Sequence, residues 1–423
     1  MSQYKAYPSY KDVGVDWNGR VPEHWEVKKL KHLVAKCQNG VWGEDPLEDG
    51  TDTLCIRVAD FDRENISVNN VSSTYRQISK EHRDSRSVLK GDILLEKSGG
   101  GDKTLVGANV RYLGNEPAVC SNFVAVVRPS VDVKSGWLNY LMASMYALKI
   151  NLRSIKQSTG IQNLDSEQYL NEWIATPQAK EQTTIATKVD RETVRIDTLI
   201  QKKKRFIELL KEKRQTLISH AVTKGLNPDV KMKDSGIEWI GEVPEHWQIA
   251  QLRRLVSINN GSDHKAIEAE EGFPVYGSGG AFAYATDYIY DGESVLLGRK
   301  GTIDKPLYVD EKFWTVDTMY WTKIMPNANG KFCYYVAKTI PFDYYASNTA
   351  LPSMTQTDLG SHVVAFPDKA EQSLIASALD RETSRIDTLI SKTLKSISLL
   401  KERRSAFITA AVTGMIDLRG EPA

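Results

Sequence analysis

Long hydrophobic runs, paired cysteines, a bulk charge and catalytic signatures are all missing from this sequence, and each absence narrows what the chain can do. No apolar stretch approaches the roughly 20 residues that a membrane helix needs, and the opening Met1-Ser2-Gln3-Tyr4-Lys5 lacks a signal-peptide layout. The four cysteines, Cys37, Cys55, Cys120 and Cys333, are scattered and form no CxxC pair. They read as buried or free thiols in a reducing compartment, and not as a disulfide framework or a zinc site. A cytoplasmic location is expected. The formal net charge is only +1, so composition alone does not announce a nucleic-acid binder. Charge is uneven along the chain, however. Residues 177–224 hold twelve Lys/Arg against six Asp/Glu, including the run Lys202-Lys203-Lys204-Arg205, whereas residues 249–362 hold ten against thirteen. If DNA is a partner, local patches must hold it; the bland reading of the basic run is a solvated helix face.

The motifs of catalysis are absent as well. Ser98-Gly99-Gly100-Gly101-Asp102-Lys103-Thr104 resembles a phosphate loop, but Asp102 interrupts the required Gly-Lys-Ser/Thr ending. Glu26-Val27-Lys28 has the form of a nuclease ExK, which would need upstream carboxylates to hold Mg²⁺; its counterpart later in the chain is Gln248-Ile249-Ala250. There is no HExxH, no GxSxG and no Asn-Pro-Pro-aromatic motif. The chain is expected to have no active site of its own.

What is present is a repeat, in 423 residues that are 41% hydrophobic and 26% charged, values normal for a globular protein. Residues 11–34, KDVGVDWNGRVPEHWEVKKLKHLV, return at 233–256 as KDSGIEWIGEVPEHWQIAQLRRLV, an offset of 222. Residues 177–223, opening PQAKEQTTIATKVDRETVRIDTLI, return at 367–413 as PDKAEQSLIASALDRETSRIDTLI, an offset of 190. The first intervening stretch is therefore 32 residues longer than the second, and the two share almost no sequence. A common frame carries divergent inserts.

The second repeated block reads as helix. Heptad positions Ala186, Val189, Thr193, Ile196, Ile200, Lys203, Ile207, Leu210, Arg214, Leu217 and Ala221 match Ala376, Leu379, Thr383, Ile386, Ile390, Thr393, Ile397, Leu400, Arg404, Phe407 and Ala411. This spacing of 3 and 4 is that of a coiled-coil seam, and about 44 residues of helix span about 65 Å. Thr193 and Arg214, like Thr383 and Arg404, interrupt the seam at matching places, where polar residues can set register and partner. The simplest arrangement pairs the two helices with each other. Either orientation is sterically possible; antiparallel pairing would place the globular parts at opposite ends of a rod about a pseudo-twofold axis.

Each globular part begins at a VPEHW segment, Val21–Trp25 and Val243–Trp247, read as an anchoring turn into a first strand. His24 and His246 lack partner ligands at metal spacing, so packing of His and Trp against the helix base is expected. Strands are expected at Leu54–Val58, Ile93–Leu95 and Phe123–Val127, with helices at 136–150 and 165–172. In the second part strands are expected at Phe273–Tyr276, Ser294–Leu297 and Trp314–Ile324, with a helix at 331–340. The fold class is mixed α/β. Loops after strands suit duplex recognition: Lys97, Ser98, Lys103 and Thr104 on a glycine frame, then Tyr276 and Ser278, then Arg299, Lys300 and Thr302. Arg57, Gln157, Arg299 and Asn348 are candidate base readers, since Arg can bond guanine twice and Asn or Gln can bond adenine twice. Any one of these loops, taken alone, is an ordinary glycine turn.

VPEHW before each insert, Pro-x-x-x-Glu-Gln-x-x-Ile-Ala after it (177–186 and 367–376) and DRETxRIDTLI in each helix resemble the specificity subunits of type I restriction-modification systems. So do Gly91-Asp92-Ile93-Leu94, Tyr276-Gly277-Ser278-Gly279-Gly280 and Ala350-Leu351-Pro352-Ser353-Met354. The resemblance implies two target-recognition domains, at 1–172 and 226–364, joined by long helices at 173–225 and 365–415 forming an antiparallel coiled coil, with a tail at 416–423. It implies that each domain reads half of a bipartite, asymmetric double-stranded DNA site. The helices would set the spacer and dock two methylation subunits, with restriction/translocase subunits joining. S-adenosylmethionine, ATP and Mg²⁺ would then sit on those partners, and this chain would bind no cofactor, no metal and no membrane. The alternative reading is a two-lobed coiled-coil scaffold that binds protein partners without reading DNA.

Overall fold

The computed structural model describes residues 5–14, 17–69, 74–100, 104–158, 160–342 and 353–420. The chain divides into two compact units: Met1–Gln201 together with Ser396–Ala423, and Lys202–Lys395. Two long helices, Ala179–Lys224 and Lys369–Val412, follow the repeat. Every position of the expected seam is buried or half-buried, which is the reason a sequence so charged elsewhere holds these helices together.

Within the first unit, the opening turns of the first long helix (Ile185, Ala186, Val189) share a core with the closing turns of the second (Phe407, Ile408, Ala411). Further along, Asp197 pairs with Arg404 at 3.0 Å. Advancing along one segment means retreating along the other, so the two run antiparallel. The second unit repeats this relation: Ile218, Ala221 and Val222 pack with Ile375, Ala376 and Leu379, and Arg214 meets Asp387 at 2.7 Å. The arginines that interrupt the hydrophobic seam are thus answered by the aspartates of the two RIDT motifs. A half-exposed ion pair contributes at most about 1 kcal/mol, but a charge in the seam disfavours any register that leaves it unanswered.

The repeated motifs meet each other at the base of each unit. Glu181 accepts from the Trp25 indole at 3.2 Å and lies 2.8 Å from His24 Nε2; Glu371 does the same with Trp247 at 3.2 Å and His246 at 2.8 Å. The adjacent glutamines carry a different load. Gln182 donates to the Pro177 carbonyl and accepts from the Lys134 amide, while Gln372 donates to the Pro367 carbonyl and accepts from the Asn329 amide. Lys134 and Asn329 open the helices Ser135–Ala147 and Gly330–Ala337. Tyrosines from those helices, Tyr140 and Tyr335, donate to Asp190 and Asp380 of the two DRET motifs. The frame therefore ties each insert to its helix by the same side chains twice. In the first unit Tyr7 adds a third donor to Glu181 at 2.8 Å. There Lys5 also pairs in a β-bridge with Asp417, which brings the first and last described segments side by side.

The two inserts, unlike in sequence, share a sheet. In the first, strands run in the order Val34–Asn39, Val124–Pro129, Ile93–Glu96, Asn109–Arg111, Ser67–Val68, Phe61–Asp62. In the second the order is Val256–Asn260, Met319–Ile324, Tyr290–Gly298, Leu307–Thr315, Phe273–Gly277, Gly280–Ala285, Glu268–Ala269. In both, the fourth and fifth strands pair in parallel and the preceding neighbours are antiparallel. The single strand expected at Trp314–Ile324 is two. Trp314 and Thr315 end one strand, Val316–Thr318 turn with Met319 donating back to the Val316 carbonyl, and Met319 begins the next. A run of aromatic and β-branched residues concealed a turn marked only by Asp317. No described helix is long and apolar enough to cross a membrane.

Candidate nucleic-acid interface

Four chain segments converge beyond one end of the first sheet. The first strand finishes at Asn39-Gly40, where a Cβ on Gly40 would stand 1.9 Å from the Cys120 carbonyl oxygen. No other residue fits that close approach. Gly40 donates to Val124 and Val41 donates to Cys120, pinning the strand end to the Ser121–Phe123 turn. The strand Ile93–Glu96 runs out into Lys97 and Ser98, whose amides both donate to the Phe123 carbonyl at 2.8 and 3.2 Å. A returning segment then pairs Ser98 with Asn163 and Gly99 with Gln162, and Leu164 donates to the Lys97 carbonyl at 2.7 Å.

The second sheet ends in the same way with other side chains. A Cβ on Gly261 would stand 2.1 Å from the Val316 carbonyl oxygen. Gly261 donates to Met319 and Ser262 donates to Thr315. The amides of Arg299 and Lys300 donate to the Thr318 carbonyl at 2.8 and 3.3 Å, and the Arg299 carbonyl accepts from Met354 at 3.1 Å. Lys300 bridges Ser353. These matched bonds align residues that sequence comparison cannot: Lys97 with Arg299, Ser98 with Lys300, Phe123 with Thr318. A basic residue thus stands at the same place on both sheets.

Most of the residues singled out in the sequence fall into these two groups. Arg57 and Ser98 line one cavity of the first unit, and Lys97 reaches Asn39 Oδ1 at 2.9 Å. Gln157 joins through the hairpin that faces it to Gln162. Arg57 is not a free cation, because its guanidinium lies 3.3 Å from Asp60 and its amide donates to the same carboxylate. Thr104 is exposed, and its carbonyl oxygen lies 2.7 Å from where a Cβ on Gly100 would stand. In the second unit Ser278, Arg299, Lys300 and Thr302 gather: the Ser278 hydroxyl is 3.7 Å from the Cβ position of Gly301, and the Thr302 carbonyl is 2.4 Å from that of Gly298. The Arg299 guanidinium lies 5.9 Å from the Tyr320 ring centre and donates to the Asp317 carbonyl. Tyr276 is differently engaged. Its ring packs on Phe313 and its hydroxyl donates to Glu311 at 2.6 Å, and burial together with that carboxylate pushes its pKa up to about 12. Lys103 and Asn348 lie outside the described residues.

Sequence reasoning passed over the two Asn-Gly pairs, 39–40 and 260–261, although both follow the repeated frame at an offset of 221. It also passed over Phe123, half exposed at 50%, and Glu96, which is 1% exposed on the strand just before Lys97. Glu96 pairs with Arg63 at 2.9 Å, yet burial outweighs that partner and raises its pKa.

The family model described as the type I restriction modification DNA specificity domain matches residues 244–399, which hold the second VPEHW tryptophan, the second set of converging segments and most of the second long helix. Residues 244–399 therefore carry a type I restriction modification DNA specificity domain. The MjaVIII specificity subunit of Methanocaldococcus jannaschii is 27% identical over 256 residues, covering 59% of this chain and 53% of that one, so the match spans about half of that relative's length. The MjaX specificity subunit of the same organism is 21% identical over 421 residues, covering 95% and 96%. The fold is shared with a chain solved in work on assembly and conformational transition of the type I R-M system, with a TM-score of 0.73 at 14% identity over 93% of this chain and 98% of that one. It is shared also with the HsdS subunit from Thermoanaerobacter tengcongensis, with a TM-score of 0.57 at 15% identity over the same shares.

Proposed function

We propose that this chain selects the DNA site of a type I restriction-modification complex, each insert reading one half of a bipartite, asymmetric site. One observation carries the reading: the two converging loop sets share main-chain geometry and differ in side chains, Lys97-Ser98 with Phe123 in one and Arg299-Lys300 with Thr318 in the other. Equal scaffolds with unequal side chains are what two different half-sites require. The recognition domains are 1–172 and 226–364, and the helices at 173–225 and 365–415, ahead of the tail at 416–423, pair as an antiparallel coiled coil that sets the spacer and docks two methylation subunits, with restriction/translocase subunits completing the complex. Methyl transfer and cleavage then belong to those partners. Exchanging residues 257–362 for the insert of another specificity subunit tests this. Methylation mapping by long-read sequencing should show one half-site replaced and the other kept; replacement of both would mean that the inserts do not read independently.

A further inference from the structure

One cavity of the first unit lies among the converging loops. Its volume is about 480 Å³, and its walls include two exposed aromatic side chains, Trp42 at 38% and Phe123 at 50% exposure. Trp42 is braced from behind by the Arg76 guanidinium, 4.6 Å from the indole ring centre. Glu96 lines the same cavity. One carboxylate oxygen is held by Arg63, and the other, Oε1, is turned toward Gly99, which lines the same cavity, 3.8 Å from where a Cβ there would stand. Aligned through the Lys97–Arg299 equivalence, the second unit carries Asp263, Thr318 and Gly298 in place of Trp42, Phe123 and Glu96.

A carboxylate 1% exposed is out of reach of a base that stays in the helical stack, because groove readout meets base edges at the protein surface. Only a group that enters the cavity can meet Glu96. Flat aromatic walls suit any base face, and a carboxylate accepts from an exocyclic amine. Arg57 also lines this cavity, with its guanidinium already paired to Asp60. We propose that the first unit takes one nucleobase of its half-site out of the stack into this cavity, between Trp42 and Phe123, and that the base is an amino-bearing one donating to Glu96. This rests on the reading of the chain as a DNA-specificity subunit and adds a recognition step found in one half-site alone.

Swinging a base out costs the energy of its pairing, so a mismatch at the abandoned partner removes that cost and tightens binding. The test uses the full chain assembled with its methylation subunits and duplexes carrying the site mapped by methylation sequencing. The half-site of the first unit is the one unaffected by exchange of residues 257–362. Each pair in it is mismatched in turn by changing the complementary base. At one pair, with an adenine, cytosine or guanine on the reading strand, the mismatch should tighten binding by at least about tenfold. Trp42→Ala and Phe123→Ala, both at exposed positions, should abolish that gain. Glu96→Gln should relax the choice of base there, and the second half-site should be read as before. Tightening opposite the methylated base, which methyltransferases extrude themselves, should survive all three substitutions. Specific binding with no mismatch-tightened position apart from the methylated base, or tightening at another position that persists in Trp42→Ala and Phe123→Ala, would overturn the proposal and leave the broader function standing. A tightened position bearing thymine would overturn it equally. Failure of the wild-type complex to prefer the mapped site over a scrambled duplex would remove both.

Discussion

The two copies of the frame differ in how deeply the helix glutamate is engaged, and this makes their loss unequal in a way that can be worked out. In the first unit Glu181 is 8% exposed, and it accepts from Tyr7 (4% exposed) and Trp25 (0% exposed). Glu181→Ala strands both buried donors at about 1–3 kcal/mol each, for a loss of about 2–6 kcal/mol. His24 contributes little to that sum, since its side chain is 41% exposed and can turn to water. In the second unit the Glu371 side chain is 33% exposed and only the Trp247 indole is stranded by its removal, so Glu371→Ala should cost about 1–2 kcal/mol. Because the two units need not unfold together, the quantity to measure is local: native-state hydrogen exchange of peptides around residues 20–30 and 242–252 in the full chain. Glu181→Ala should speed exchange in the first peptide by a larger factor than Glu371→Ala speeds it in the second. Equal factors, or a larger effect at Glu371, would refute the assignment of Tyr7 and Trp25 as the donors that matter.

Two further outcomes can be measured, one from a side chain and one from the helices. His362 is 4% exposed, and burial lowers its pKa from 6.5 to about 4. The unfolded chain therefore takes up a proton that the folded unit refuses. Stability is full above about pH 6.5 and falls by about 3 kcal/mol as pH drops to about 4. Denaturation followed by the fluorescence of Trp239, stacked 5.9 Å from the imidazole, should show this loss in the wild type and a smaller one in His362→Gln; identical pH profiles would refute it. If the paired helices set the spacer, adding one helical turn of four residues, about 6 Å, to both should lengthen the preferred spacer by one or two base pairs of about 3.4 Å each. An unchanged spacer in methylation mapping would count against the helices as the ruler.

The parts of the fold that could be read in advance are those whose information is local and periodic. Seam residues such as Val189, Ile196 and Leu379 recur every 3 or 4 positions and are buried as that recurrence requires. Packing of His24 and Trp25 against the helix base was expected, but the particular partner was not legible, for a plain reason. Glu181 and Trp25 are 156 residues apart, and nothing in either motif names the other. The turn at Val316–Thr318 was hidden because the side chains flanking it have the same strand preference on both sides. At the interface, the loops were found from glycine and basic residues, but their partners were not. The equivalence of Lys97 and Arg299 resides in amide bonds to Phe123 and Thr318, which main chain makes whatever the side chain. Glu96 was overlooked because a glutamate between a strand and a glycine loop reads as solvated, and only the packing around it shows otherwise.

The contacts that gather each loop set are made largely by peptide groups, with glycines such as Gly40, Gly261 and Gly298 the positions that demand a particular residue. The main-chain bonds that hold those loops do not depend on the side chains that project from them. A substitution at Lys97, Ser98, Arg299 or Lys300 can alter what is read without disturbing how the loop is held. Such an arrangement lets recognition drift by single replacements while the backbone stays in place, and it concentrates the constraint on the loop glycines and the clamp beneath them. Diversity between the inserts is then the expected product of selection acting on targets, under a constraint that only the backbone has to meet.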